Sequence, residues 1–292
     1  MKYQLELDFG TMEKNLKKLA LQRVGVVIRA TIAFVLVQNL HIYFLENILL
    51  KLKKKLINKE YNMPQNKRYI LIFDFETDDV NPLICNPVQV AAVILDPRSL
   101  EILDTFESKI RPFNIDDKDY FVNHKDTIEW HGKNRKITAE KVLADWKESP
   151  DLKTVWKNFK EFNFKYHTKQ SNQSSYTAPI PSGFNIVNFD LPIANRLCKQ
   201  YGYIDTKGNS KLFSAVNKID VYDLMFIWFE NLHEPERLNA ETLFTFLGLD
   251  MSGGHDALYD VKMTTKVLQR FLRFHRKIAT SPDIFRGKLQ EK

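Results

Sequence analysis

The 292-residue sequence has little cysteine and lacks the common phosphate-binding motifs. Its two cysteines, Cys85 and Cys198, lie far apart, which excludes a disulfide framework or a zinc cluster of paired cysteines and is typical of a reducing, cytoplasmic compartment. There is no GxxxxGK(S/T) loop and no GxGxxG turn after a strand, so binding of nucleoside triphosphates or dinucleotides through these motifs has no support. The apolar fraction of 44% is ordinary and predicts a globular protein with one sizeable core.

Positive charge is concentrated at the two ends of the chain. Residues 1–68 carry 13 Lys and Arg against 5 Asp and Glu, and residues 256–292 carry 9 against 4, whereas the whole chain has a net charge of +7. The middle of the chain is therefore acidic and would repel a polyanion unless bound cations neutralised it. A cation-loaded site between basic segments is compatible with binding to nucleic acid.

Residues 1–62 differ in composition from the rest of the chain. Residues 24–50 are strongly apolar with lysines on both sides, a pattern typical of helices that span a membrane or lie on its surface. Polar and charged residues interrupt the run, which is costly at bilayer depth, and the run lies too late for a signal peptide. Three interpretations stay open: a dispensable extension, an amphipathic packing helix, and a membrane anchor. We expect the working domain over residues 63–277 and a basic tail over residues 278–292.

Strand and helix patterns within the domain predict an α/β fold. The five expected strands lie at residues 69–77, 88–96, 102–110, 180–187 and 217–221. The first three follow one another through short connections, which favours an antiparallel meander, whereas the last two alternate with helices. We therefore expect a mixed five-stranded sheet with its first three strands antiparallel and helices on both faces. The polar stretch over residues 111–131 is expected to be irregular.

The first strand, in the sequence YILIFDFET, ends in two carboxylates, Asp74 and Glu76. Residues i and i+2 of a strand point to the same side of the sheet, so these acids are expected to lie side by side. Two like charges at such a short distance destabilise the folded protein unless a cation neutralises them. A divalent ion is well suited to that role. The pair alone is also compatible with a strand that merely ends in polar residues.

Two later stretches supply three more candidate residues. The sequence GFNIVNFD leads into a helix headed by Asp190, which by itself is typical of an N-cap. The sequence GHDALYD opens the last helix and contains His255 and Asp260, with Asp256 as the expected cap. An inward-pointing Asp260 without a partner would be costly. Four carboxylates can hold two hard divalent cations, which clamp the two oxygens of a phosphoryl displacement, and a histidine suits deprotonation of the attacking water.

These motifs, in this order, resemble those of the ribonuclease H-like 3′–5′ exonucleases, in the DEDDh branch named after its four acids and histidine. The resemblance covers roughly residues 69–274. The stretches NPVQVAAV, GFNIVNFD, IDVYDLM and GGHDALYDV are similar in particular to the nuclease domain of bacterial exonuclease I. The tyrosine branch does not match, because Asp256 stands four residues before Asp260, where that branch has tyrosine. The further domains of exonuclease I are not expected here.

The resemblance implies a ribonuclease H-like fold and a metal-dependent exonuclease that releases 5′-mononucleotides from a 3′ end. It implies two ions of Mg²⁺ or Mn²⁺ per site and nucleic acid with a free 3′ end as the partner. Its assignments are Asp74, Glu76, Asp190 and Asp260 as catalytic metal ligands, His255 as the general base, and Thr77 and Asn185 as substrate-binding residues. Similarity to exonuclease I favours single-stranded DNA, with RNA 3′-end trimming as the alternative.

Two other classes of function stay open beside the enzyme. A non-catalytic module that binds nucleic acid on the same fold usually loses one or more of the acids, and all five positions are intact here. A nuclease attached to a membrane through residues 24–50 is the other class. Five further histidines show no partner pattern and are expected at the surface: His124, His131, His167, His233 and His275.

Overall fold

The computed structural model describes residues 68–168, 177–233, 235, 237–250 and 252–279. The interpretations of residues 1–62, and of most of the tail over 278–292, concern residues outside these ranges. Within the described ranges, no helix combines the length and the apolar character needed to cross a membrane.

A five-stranded sheet with the strand order β3-β2-β1-β4-β5 organises the described residues. The strands are β1 Ile70–Thr77, β2 Pro87–Leu95, β3 Ile102–Lys109, β4 Ile180–Gly183 and β5 Ile219–Asp220. The first three strands pair antiparallel, whereas β4 pairs parallel with β1 and β5 pairs parallel with β4. The predicted mixed sheet with three antiparallel strands is confirmed. The fourth strand is shorter than predicted and ends at Gly183.

Along the chain, the described helices begin after β3 and alternate with β4 and β5. They are α1 Tyr120–Asn123, α2 Lys125–Arg135, α3 Ala139–Glu148, α4 Leu152–Phe164, α5 Asp190–Gln200, α6 Val221–Phe229, α7 Ala240–Phe246 and α8 Ala257–Ala279. Three helices have an N-cap whose side chain accepts a hydrogen bond from the backbone N–H three residues later. These caps are Thr138 for α3, Asp151 for α4 and Asn239 for α7. Such caps satisfy donors that have no partner within the helix.

The expectation of an irregular stretch over residues 111–131 is wrong, because α1 and part of α2 lie there. The residues that α2 buries are Ile128, His131 and Gly132, so its buried face lacks the apolar stripe by which a helix is recognised in sequence. A Cβ on Gly132 would lie 2.8 Å from the carbonyl oxygen of Ile137. Glycine at this position therefore lets α2 pack closely against the start of α3.

Helices cover both faces of the sheet, as predicted. Leu71, Phe73 and Phe75 of β1 pack with buried residues of α4 and α5 on one face. Ile70 and Ile72 pack with buried residues of α6, α7 and α8 on the other. Burying a side chain of this size stabilises the fold by about 1.5–3 kcal/mol. Because side chains alternate along a strand, the carboxylates that continue the Ile70 and Ile72 series project onto the face covered by α8.

Candidate metal centre

Three carboxylates from two elements meet near the end of β1. Asp74 and Glu76 come from β1, and Asp260 lies in the first turn of α8. One oxygen of each carboxylate lies within 4.8 Å of an oxygen of each of the other two. The structure thus places the predicted acid pair side by side and adds a third predicted ligand, a group that could hold a metal ion. We refer to these three residues as the acid cluster.

Burial and mutual repulsion raise the pKa values of the acid cluster. Burial, and after it the carboxylates of Asp190 and Glu76, raises the pKa of Asp74 well above its usual range. Burial and the other carboxylates nearby raise the pKa of Glu76 to about 8. Burial also raises the pKa of Asp260 to about 6, although a hydrogen bond from the backbone N–H of His255 acts in the opposite direction. A bound cation would favour the ionised form of all these groups.

The hydrogen bonding of the Asp260 carboxylate indicates whether a cation fits this site. Its Oδ2 accepts a hydrogen bond from the backbone N–H of His255 at 3.0 Å. Its Oδ1 is buried and has no hydrogen-bond partner among the described residues. Leaving a buried polar atom unpaired costs about 1–3 kcal/mol, and more for a charged group. A divalent cation would satisfy this oxygen, and oxygen donors are the ligands that Mg²⁺ and Mn²⁺ prefer, so the acid cluster fits such an ion.

Asp190 lies beside the acid cluster and is anchored to β1. It is the first residue of α5 and is 2% exposed. Its Oδ1 accepts a hydrogen bond from the backbone N–H of Phe75 at 2.9 Å. The pairing of β4 with β1 ends at Ile72, so β4 offers no carbonyl oxygen to the backbone N–H of Phe75. The Asp190 carboxylate accepts this hydrogen bond instead. Burial raises the pKa of Asp190 to about 8 despite this hydrogen bond.

The structure thus brings three of the four predicted ligands into one group and places the fourth next to it. Among the neighbouring carboxylates, Asp190 has the largest effect on the pKa of Asp74. The interpretation of Asp190 as an N-cap does not hold, because Phe189 occupies that position and the Asp190 carboxylate bonds to β1. Metal ligation by Asp190 stays a prediction.

His255 lies directly before α8, in the left-handed backbone conformation with a φ of 68°. It precedes the first turn of α8, which begins at Ala257. Its backbone N–H fixes Asp260, and its imidazole ring packs against Trp130 in a T-shaped arrangement, with ring centroids 4.6 Å apart. The role of His255 as a general base stays a prediction.

Asp256 adds a further carboxylate beside the acid cluster. It caps α8 as predicted, because its Oδ1 accepts a hydrogen bond from the backbone N–H of Tyr259 at 3.1 Å. Its Oδ2 accepts a hydrogen bond from the Gln89 side chain at 3.1 Å. Its charge raises the pKa of each carboxylate of the acid cluster. The cap therefore also adds to the negative charge that a cation would neutralise.

The two predicted substrate-binding residues have partners within the protein. The Thr77 hydroxyl donates to the carbonyl oxygen of Asp79 at 2.7 Å. The Asn185 side-chain oxygen accepts a hydrogen bond from the Asn188 side chain at 2.9 Å, and Asn185 has a left-handed φ of 55°. Contact of Thr77 and Asn185 with a substrate stays a prediction.

The surface position expected for His131 is wrong. This side chain is 3% exposed, its Nε2 lies 2.9 Å from the carbonyl oxygen of Thr77, and its Nδ1 lies 4.0 Å from Oε2 of Glu76. The sequence gives little indication of this burial, because His131 follows Trp130 within a polar stretch and has no fixed spacing from Asp74 or Glu76. Of the other four histidines expected at the surface, His124 and His167 are half-buried, whereas His233 and His275 are exposed.

Solved structures with this fold include exonuclease I of E. coli. Its complex with a dT13 oligonucleotide matches with a TM-score of 0.52 and 17% identity, over 73% of this chain and 44% of that one. Its zinc-bound complex with single-stranded DNA matches with a TM-score of 0.51 and 17% identity, over 73% and 42% of the two chains. This chain thus spans less than half the length of exonuclease I. No protein-family model and no curated protein sequence matches the chain.

These matches confirm the predicted resemblance at the level of the fold. The described residues share the α/β fold of exonuclease I, with the five-stranded sheet and flanking helices expected from the sequence. The acid cluster lies near the end of the first strand of that sheet.

Proposed function

We propose that this protein is a metal-dependent nuclease, and specifically a 3′–5′ exonuclease that releases 5′-mononucleotides from single-stranded DNA. The observation that carries the proposal is the acid cluster, in which three half-buried carboxylates converge and one oxygen of Asp260 has no partner among the described residues. The fold shared with exonuclease I, which was solved with a dT13 oligonucleotide bound, supports DNA as the substrate. Trimming of RNA 3′ ends is the alternative.

The acid cluster would hold a divalent cation, Mg²⁺ or Mn²⁺, and Asp190 would contribute to the binding of a second ion. When bound, such ions supply stabilisation of the negative charge that develops on the oxygens of the transferred phosphoryl group. The protein prepares the ligands in advance, because β1 holds Asp74 and Glu76 and the His255 backbone N–H holds Asp260. Rigid elements of this kind position a site more accurately than loops do.

In this proposal His255 accepts the proton of the attacking water. The water oxygen forms a bond to phosphorus, the bond from phosphorus to the 3′-oxygen of the preceding nucleotide breaks, and that oxygen takes a proton from solvent. The His255 backbone bonds to Asp260, so the base and one carboxylate of the acid cluster are held by a single hydrogen bond of 3.0 Å. A proton acceptor placed in this way contributes roughly 10²–10⁴-fold to a rate.

The decisive experiment is cleavage of a 5′-labelled single-stranded DNA oligonucleotide with Mg²⁺, with Mn²⁺ and with EDTA. We expect a ladder that shortens from the 3′ end with either metal and no cleavage with EDTA. A matched RNA oligonucleotide decides between the two substrates. Asp74→Asn protein, purified in parallel, controls for contaminating nucleases. If wild-type protein cleaves neither DNA nor RNA, the proposal fails, and a non-catalytic module that binds nucleic acid takes its place.

A further inference from the structure

Helix α2 contacts two parts of the proposed active site through two adjacent residues. Trp130 packs against the imidazole ring of His255, with ring centroids 4.6 Å apart and an angle of 70° between the ring planes. His131 reaches the end of β1, where its Nε2 lies 2.9 Å from the carbonyl oxygen of Thr77. Its Nδ1 lies 4.0 Å from Glu76. The two side chains thus connect the segment before α8 with the end of β1.

The orientation of the His131 ring follows from its hydrogen bond and its packing. A carbonyl oxygen only accepts hydrogen bonds, so Nε2 of His131 carries the proton that is donated to Thr77. Trp146 of α3 packs against the same ring in a T-shaped arrangement, with ring centroids 5.4 Å apart. The ring is 3% exposed and therefore has little room to turn. The end of β1 is held at the carbonyl that directly follows Glu76.

Several contacts fix α2 itself. The Arg135 guanidinium and the Asp145 carboxylate form an ion pair at 2.6 Å, which joins α2 to α3. The backbone N–H of Ile137 donates to the carbonyl oxygen of Gly132, where a side chain would collide with the following segment. At the other end, Nδ1 of His124 lies 3.0 Å from the carbonyl oxygen of Asp78, two residues after Glu76. These contacts hold both ends of α2 in place.

We propose that Trp130 and His131 are positioning residues for the proposed hydrolysis. Trp130 sets the orientation of the His255 imidazole, and His131 holds Thr77 and Glu76 at the end of β1. The inference rests on the proposed function, because it explains how the general base and one metal ligand of that function are held. His255 lies outside α8 in a left-handed backbone conformation, so no preceding helical turn restricts its side-chain rotamer. The packing of Trp130 against the imidazole ring restricts it instead.

The first test separates positioning of His255 from direct contact with the substrate. Trp130→Ala should lower kcat by roughly 10- to 100-fold with little change in KM, because a displacement of about 1 Å at a reacting group has an effect of that order. Trp130→Phe, which keeps an aromatic ring, should retain most of the rate. In the His255→Ala background, Trp130→Ala should cause no further loss, because its effect passes through His255. A raised KM, or a full effect in that background, would overturn the proposal for Trp130.

His131 is tested by rescue. His131→Ala removes the donor to Thr77 and should lower kcat, whereas His131→Gln supplies an N–H donor of similar reach and should restore part of the loss. Thermal unfolding of each variant shows whether the protein is folded under the assay conditions. Equal activity of folded His131→Ala and wild-type protein would overturn the assignment for His131.

A second readout does not depend on activity. In protein labelled with ¹³C and ¹⁵N at histidine, the His255 ring resonances are identified by their loss in His255→Ala. Their ring-current shift should disappear in Trp130→Ala and persist in Trp130→Phe. An unchanged His255 resonance in Trp130→Ala would overturn the proposal even in an active nuclease. An inactive wild-type protein would instead overturn the proposed function, while the same resonance still shows whether Trp130 orients His255.

Discussion

Two groups of acids in this protein, one buried and one half-buried, differ in what surrounds them. Asp220 is 7% exposed and holds the turn after β4, because its carboxylate accepts hydrogen bonds from the backbone N–H groups of Asn185, Val187 and Tyr222. Asp78 is fully buried and accepts hydrogen bonds from the backbone and side chain of Asn86 and from the Tyr120 hydroxyl. In both places the fold supplies donors that offset part of the cost of burying a carboxylate, although burial still raises the pKa of Asp220.

The acid cluster has the opposite surroundings. The neighbouring charges that act on Asp74 are those of other carboxylates, and Oδ1 of Asp260 has no partner among the described residues. The comparison shows that burial of an acid does not by itself indicate function. Acids buried beside other acids, with a ligand atom left unpaired, indicate a cation that the protein does not itself provide.

The largest effect is expected for Asp74→Asn. The substitution removes one charge from the acid cluster, and stabilisation of the transition state by a bound cation is worth several kcal/mol, so cleavage should fall about 10³-fold or more. The metal-free variant should be as stable as the wild type or more stable, because the cost of burying this carboxyl group beside other carboxylates is gone. Oligonucleotide cleavage and urea unfolding in EDTA measure the two effects. Wild-type turnover in Asp74→Asn would remove Asp74 from the site.

The next effect is a loss of stability with rising pH in the metal-free protein. A carboxyl group with a raised pKa binds more protons in the folded state, so its contribution to stability is complete below the unfolded value and is lost as pH rises through the folded value. The pKa values of about 8 for Glu76 and Asp190 and about 6 for Asp260 place this loss between about pH 4 and 8. Each retained proton contributes a slope of about 1.4 kcal/mol per pH unit.

Urea unfolding at a series of pH values in EDTA measures this slope. Saturating Mg²⁺ should flatten it, because a cation that binds the ionised carboxylates stabilises the folded state most where they are deprotonated. Asp151→Asn is the control, because hydrogen bonds from Thr154 lower the pKa of this exposed carboxyl group, so its removal should leave the downward slope in place. Stability that rises across this window in EDTA would contradict the prediction.

A smaller effect, on stability rather than on rate, is expected for Asp220→Ala. Three backbone N–H groups lose their shared acceptor, which should lower the free energy of unfolding by about 1–3 kcal/mol. Cleavage by the folded protein should fall far less than in Asp74→Asn. Chemical unfolding and cleavage below the unfolding transition measure both quantities. Complete loss of cleavage by folded Asp220→Ala protein would break the distinction between the two groups of acids.

The parts of the site that the sequence predicts are those that local geometry determines. Asp74 and Glu76 project to one face because the side-chain period of a strand is two, and the same alternation identifies the strands themselves. Asp260 lies on the buried side of α8 because it follows the buried residue Ala257 by three positions, and residues i and i+3 of a helix share a face. These relations hold within a few residues and require no knowledge of the rest of the fold.

The parts that the sequence does not predict depend on distant contacts. The bond from Phe75 to Asp190 depends on where the pairing of β4 with β1 stops, which no local pattern encodes. The burial of His131 depends on a carbonyl 54 residues earlier in the chain, that of Thr77. The helix that carries His131 buries a histidine and a glycine on its inner face, so hydrophobic periodicity does not reveal it.

The smallest effect on cleavage is expected for substitutions of Asn185. The backbone N–H of this residue is bonded to Asp220, one of the structural acids, and its side chain is also predicted to contact the substrate. Asn185→Gly removes the side chain and leaves the left-handed backbone relaxed, whereas the control Asn185→Ala strains that backbone by about 1–2 kcal/mol. If the side chain contacts the substrate, Asn185→Gly should raise KM modestly and leave kcat and stability nearly unchanged. An unchanged KM in Asn185→Gly would assign Asn185 to the structural side alone, as the residue through which Asp220 holds the turn.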